Sequence, residues 1–123
     1  MTKRISKLGL TVANNEALNH EMQWSVAQPD GTKLPLDLTD REFFAQVKRN
    51  TAPNSPVVAE IEMTVVGDPT DGKLRLHIPY DIMKTLPAFV GVYDVLIRSN
   101  GGEPDNLWSA PFTVKQGASQ WSM

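Results

Sequence analysis

The sequence has no cysteine. That excludes disulfides, thiolate metal ligands and a cysteine nucleophile, and it suits a reducing cell interior or a particle assembled inside one. Histidine is almost as scarce: His20 and His77 are the only two, on different predicted elements. Positive charge is not in excess, with 12 Lys and Arg against 14 Asp and Glu and a net charge of −2. A general nucleic-acid binder needs clustered Lys and Arg to neutralise phosphates, so nucleic acid is not expected as a partner. No apolar run approaches the length of a membrane span, and the basic residues within Met1 to Leu10 are followed by no continuous apolar stretch. Neither a membrane partner nor a secretory signal is expected, and synthesis in the cytoplasm is. The chain also lacks a Gly-x-Ser-x-Gly elbow, a Gly-rich phosphate loop and a Ser/His/Asp set. No enzyme, cofactor, metal or small-molecule substrate is therefore expected.

What is present is alternation. At 123 residues, 41% hydrophobic and 21% charged, the chain has the composition of a single globular domain with a real core. Glu21 to Gln28 places Met22, Trp24 and Val26 on one face. Glu42 to Arg49 alternates Phe43, Ala45 and Val47 with Phe44, Gln46 and Lys48. Val57 to Val66 reads as the longest strand, with Val57, Ala59, Ile61, Met63 and Val65 on one face and Glu60, Glu62 and Thr64 on the other. Leu107 to Lys115 supplies an inward row of Trp108, Ala110, Phe112 and Val114. Leu8, Leu10 and Val12 form a shorter inward set near the start. Pro29-Asp30-Gly31, Asn50 to Pro56, Gly67 to Gly72 and Asn100 to Asp105 are turn or loop signals. Pro35 marks Leu34 to Leu38 as an edge-like piece, because proline cannot donate to a ladder.

The strongest architectural signal runs from Gly72 to Ser99. Leu74, Leu76 and Ile78 alternate with Lys73, Arg75 and His77, a short helical segment follows from Pro79 to Leu86, and a second strand opens after Gly91 with Val92-Tyr93-Asp94-Val95. Two strands joined by one turn of helix predict a crossing from one sheet of an immunoglobulin-like sandwich to the other. The expected fold is all-β: one antiparallel sandwich domain over residues 1–123, with seven or eight strands, one short helix, a flexible N-terminal arm and a C-terminal tail.

Few side chains stand out from this framework. His77 alternates outward, and His20-Glu21 has no third group to complete a metal site. Asp68 to Gly72 has carboxylates in a short loop, but Asp and Gly are also the residues of a tight turn. Glu60 and Glu62 share a charged face with no apolar pocket to raise a pKa for acid catalysis. Trp24 and Trp108 belong to apolar rows and are expected in the core. Trp121 sits in a polar tail, where it either anchors a partner or folds back on its own domain. Phe43 and Phe44 face opposite ways, so one of them lies outward. Lys3, Arg4 and Lys7 make the one basic cluster, at the terminus. The candidate partner contacts are thus Trp121, Phe44, Lys3, Arg4 and Lys7.

The order of three groups of residues resembles small β-sandwich modules of tailed-bacteriophage structural proteins, including the N-terminal domain of baseplate upper proteins. The first group is the Trp24 strand, Asp30-Gly31-Thr32 and Leu36-Asp37-Leu38-Thr39-Asp40 leading to Phe44-Ala45-Gln46-Val47-Lys48. The second is Gly72 to Ile78 with its short helical segment. The third is Gly91-Val92-Tyr93-Asp94-Val95, the hairpin and a closing strand ending near Gly117. The resemblance covers roughly residues 20 to 117. It lacks the long C-terminal extension of the baseplate proteins, and Asn50 to Pro56 reads as an inserted loop. What it implies is a non-catalytic virion component (capsid decoration, connector, tail or baseplate) that contacts other virion subunits as a homo-oligomer within a symmetric assembly. The alternative from the residues is a carbohydrate-binding module for a host-surface glycan, presenting exposed aromatic rings.

Overall fold

The computed structural model describes residues 9–119, which form an all-β fold. Five strands make the larger sheet: β1 (Leu10–Ala13), β5 (Arg41–Lys48), β6 (Val57–Glu60), β9 (Phe89–Ser99) and β10 (Asp105–Lys115), in the order β1-β10-β9-β5-β6. A second sheet has the order β2-β8-β7, from Leu18–Gln23, Lys73–Ile78 and Glu62–Val65. A short ladder pairs β3 (Ser25–Ala27) with β4 (Lys33–Pro35). One continuous core joins the inner faces: Ala45, Val47, Tyr93, Val95, Trp108 and Phe112 from the larger sheet, Leu74, Leu76 and Ile78 from the smaller. Apart from Ala45, each of these side chains contributes on the order of 2 kcal/mol through its removal from water.

The crossing expected after Ile78 is where the sequence placed it. β8 ends in the smaller sheet, α1 (Tyr80–Met83) makes a single helical turn, and β9 begins in the larger sheet. Pro79 starts the turn, its carbonyl accepting from the amides of Ile82 and Met83, and fully buried Met83 pins the turn to the core. Gly72 starts β8 with φ +69°, the left-handed region that favours glycine. A Cβ there would stand 2.6 Å from the Trp24 carbonyl oxygen and 3.0 Å from the Leu36 backbone. The glycine thus lets β8 run beneath two hydrogen bonds, Trp24 N–H to Gly72 O and Leu36 N–H to Trp24 O, both 2.9 Å.

Three details differ from the sequence reading. Ten strands form among the described residues rather than seven or eight, partly because the long Val57–Val66 segment breaks at Ile61. There the Ile61 amide donates to the Ala45 carbonyl at 3.0 Å, and the chain passes from β6 in the larger sheet to β7 in the smaller. Glu60 and Glu62 therefore belong to different sheets. Secondly, the sandwich is not wholly antiparallel: β1 pairs with β10 in parallel, Leu10 beside Phe112 and Val12 beside Val114. Parallel neighbours need a long connection, and here almost the whole domain provides it. Thirdly, a register shift between Asn106 and Trp108 turns both Leu107 and Trp108 inward.

The turns have a shared local chemistry. Asp30, Asp37, Asn50 and Asp68 each accept a hydrogen bond from the backbone amide two residues on, at 2.9–3.0 Å. Asp30 and Asp68 also accept from the hydroxyls of Thr32 and Thr70. Such bonds mimic a backbone turn and fix the loop without an interior. The Asp68 loop is thereby accounted for as the cap of a single 3-10 turn, Pro69–Asp71.

Candidate functional site

The five candidate contacts are not brought together as one group. Lys3, Arg4, Lys7 and Trp121 lie outside the described residues, as does the arm Met1 to Leu8. Phe44 is described and is 46% exposed, whereas Phe43 is half-buried against the core. Of the pair it is Phe44 that faces outward, and Trp24 and Trp108 are in the core as expected, their ring centroids 4.3 Å apart. Phe44 lies on β5, three places from β1 in the sheet order.

Two surfaces emerge from the fold. One is the β1 edge. β1 has β10 on one side and, among the described residues, ends the sheet on the other. On that free side the Ala13 amide donates to the carboxylate of Glu16 at 3.1 Å, so the odd-numbered amides of β1 point away from the sheet. The edge is four residues long, a length typical of natural edge strands that avoid promiscuous pairing.

The ends of this edge are tied to both ends of the described chain. Gly9 sits beside Pro111 at one end. At the other, the Asn14 side chain is buried and makes three hydrogen bonds. Its amide donates to Leu86 O at 2.9 Å and Gln116 Oε1 at 3.1 Å, and its oxygen accepts from Gly117 N at 2.9 Å. Asn15 Nδ2 adds a bond to Ser119 O at 2.7 Å. Gln116 to Ser119 are thus bound to the strand start of the domain. Gly9 and Ser119, the first and last described residues, thus stand at opposite ends of the same short edge.

The other surface is the outer face of the larger sheet. Registration across β5, β9 and β10 builds three rungs: Phe44–Leu96–Asn106, Gln46–Asp94–Ser109 and Lys48–Val92–Pro111. All of these except Asn106 line an open groove of about 470 Å³, to which Asn50 and Thr51 also contribute. A smaller groove of about 340 Å³ lies on the other side of Phe44, against Arg98 and Pro104. Of the five large hydrophobic side chains most exposed among the described residues, Phe44, Val57 and Val90 belong to strands of this sheet.

Three charged pairs cross between neighbouring strands of the two sheets. Arg98 reaches Glu42 at 2.9 Å, Arg75 reaches Glu21 at 2.9 Å, and His77 lies 3.3 Å from Glu62. The hydrogen bonds from Arg98 hold the Glu42 carboxyl below its usual pKa. His77 is thus a cross-strand pair rather than a bare surface residue. Among the described residues no three His, Cys, Asp or Glu gather closely enough to hold a metal ion. No helix among them is long and apolar enough to cross a membrane.

Sequence reasoning missed the groove and the Asn14 clasp. The signal for the groove was in β9 itself: Val92 and Leu96 are apolar on one face while Tyr93, Val95 and Ile97 are apolar on the other. In an antiparallel sheet with one face open to solvent the outward residues are ordinarily polar, so Val92 and Leu96 depart from the pattern.

No protein-family model matches the chain, and no curated protein matches it in sequence. Among solved structures, a family 123 glycoside hydrolase from Clostridium perfringens, studied for the hydrolysis of glycolipid glycans, aligns with a TM-score of 0.35 and 6% identity. The alignment covers 88% of this chain but spans only 23% of that enzyme's length. A similarity at that level carries no inference about this chain's chemistry.

Proposed function

We propose that this chain is a non-catalytic structural component of a tailed-phage virion, working through contacts with neighbouring subunits along the β1 edge. The observation that carries the reading is the convergence of an unpaired strand edge, Gly9 and the Gln116–Ser119 stretch on one short strand. An edge strand offers unpaired amides and carbonyls to another chain, and terminal segments are free to order on a partner. Repeated in a symmetric assembly, small contacts of this kind sum through multivalency. The resemblance of the Trp24, Gly72 and Gly91 segments to phage structural modules supports the same reading.

The test removes one element of the edge at a time. Deleting Ser119 to Met123 should leave the fold intact and lower the occupancy of the chain in purified particles. Thr11→Pro removes an outward amide of β1 from a position where proline is tolerated. It should likewise reduce incorporation at unchanged stability. Full occupancy of both variants would overturn the reading.

A further inference from the structure

The groove on the outer face of the larger sheet has an organisation that the subunit contact does not use. Its middle rung is polar: Gln46, Asp94 and Ser109 stand directly opposite one another on β5, β9 and β10. The rungs on either side are largely apolar, with Phe44 and Leu96 on one and Val92 and Pro111 on the other. Gln46 and Asp94 are half-buried, as are the apolar Val92 and Leu96 beside them, while Ser109, Phe44 and Pro111 are exposed, so a polar rung runs across the groove with apolar groups on either side. Asn106 Nδ2 donates to Asp94 Oδ2 at 3.4 Å and to Ser109 Oγ at 3.2 Å, which links two members of the polar rung. A volume of about 470 Å³ with apolar flanks and a few convergent polar groups fits the pattern of a ligand cleft.

We infer that this groove binds a neutral oligosaccharide, lying along the Gln46–Asp94–Ser109 rung with a sugar face against Phe44. Three features select that class. Amide, carboxylate and hydroxyl side chains together donate and accept, as a row of sugar hydroxyls requires. The apolar flanks match the C–H faces of a pyranose ring, with Phe44 as the stacking surface. The charges in the groove are one Lys48 and one Asp94, and Glu60 extends the polar rung opposite Gln46 on β6. Two carboxylates beside one ammonium repel an anionic chain and leave a neutral one unopposed.

A protein partner fits less well. Protein interfaces carry an apolar core within a polar rim, the reverse of this layout. Strand addition is also closed, because β9 is paired on both sides by β5 and β10. The site is separate from the β1 edge, and the inference stands or falls independently of the virion reading.

The test uses the full chain, labelled with ¹⁵N and titrated with maltohexaose, cellohexaose, N-acetylchitohexaose and an N-acetyllactosamine oligomer. A heparin hexasaccharide is the anionic control. A saturable shift of the Gln46, Asp94 and Ser109 amides with at least one neutral probe is expected, with none from heparin. Asp94→Ala, Gln46→Ala and Phe44→Ala should each weaken that binding about tenfold, the weight of one good contact. All three are surface changes that should leave the melting temperature in place. The inference is overturned if no neutral probe moves those amides, if binding survives all three substitutions, or if heparin binds more tightly.

Discussion

The indole N–H of Trp108 donates to the phenol oxygen of Tyr93 at 2.9 Å, with the two rings edge to face at 88°. Both side chains are almost wholly buried, and Tyr93 also meets Phe112 edge to face at 6.0 Å. The bond joins adjacent strands β9 and β10 inside the core, where each polar group needs a partner. Burial pushes the Tyr93 phenol above its usual pKa, and the bond from Trp108 opposes that.

Tyr93→Phe keeps the ring and removes the acceptor, leaving a buried indole N–H without its partner. The expected loss is about 1–2 kcal/mol of unfolding free energy. Urea unfolding of Tyr93→Phe, Trp108→Phe and the double variant tests it. The double variant should lose less than the sum of the two single ones, and strict additivity would contradict a direct coupling.

Gly72 and Gly31 both have positive φ, +69° and +89°, but only Gly72 is crowded. An alanine at either site bears a left-handed backbone cost of about 1 kcal/mol. At Gly72 the new methyl also meets the backbone of Trp24 and Leu36, while at Gly31 nothing lies within 4 Å. Gly72→Ala should therefore be at least about 2 kcal/mol more destabilising than Gly31→Ala, as steric overpacking typically is. Equal thermal shifts would mean the crossing over β8 relaxes freely.

Asn14→Ala removes three hydrogen bonds and leaves Leu86 O and Gly117 N without the partners that the side chain supplies. A loss of about 2–3 kcal/mol is expected. Hydrogen exchange at the Gly117 amide should accelerate more than exchange in β9. Uniform acceleration across the domain would indicate a general loss of stability rather than release of the clasp.

Stability should depend on pH through the acidic turns. The pKa values of Asp30, Asp37 and Asp68 are lowered, chiefly by hydrogen bonds from Thr32, Thr39 and Thr70. A carboxyl with a folded pKa below its unfolded one stabilises the fold above the unfolded value, and that contribution disappears as pH falls through the folded value. Stability should be flat near neutrality and decline below the usual carboxylate range. Asp30→Asn and Asp68→Asn should each make the acid limb shallower in chemical melts from pH 7 to 2, and an unchanged limb would count against the turn bonds.

Much of the sandwich was legible because period two reports burial directly. The inward sets Ala45–Val47 and Trp108–Phe112 and the helical turn after Ile78 all follow from local pattern. The break at Ile61 was not legible, since alternation continues unbroken from Ala59 to Met63 while the hydrogen-bond partners change. Parallel pairing of β1 with β10 joins the two ends of the domain, and no local signal encodes it. Leu107 escaped the inward row because a bulge reverses the alternation there. Outward Phe44 was anticipated as one of two choices, but the groove depends on the register of three strands. Asn14 reads as one more polar loop residue until Gly117 is brought beside it.

The central claim, a structural subunit of a phage particle, is tested most directly by immunogold electron microscopy on purified particles from the source, with an antibody to this chain. The account predicts gold at one defined, repeated position on the particle. Particles free of gold, when the same antibody binds the chain in lysate, would contradict it.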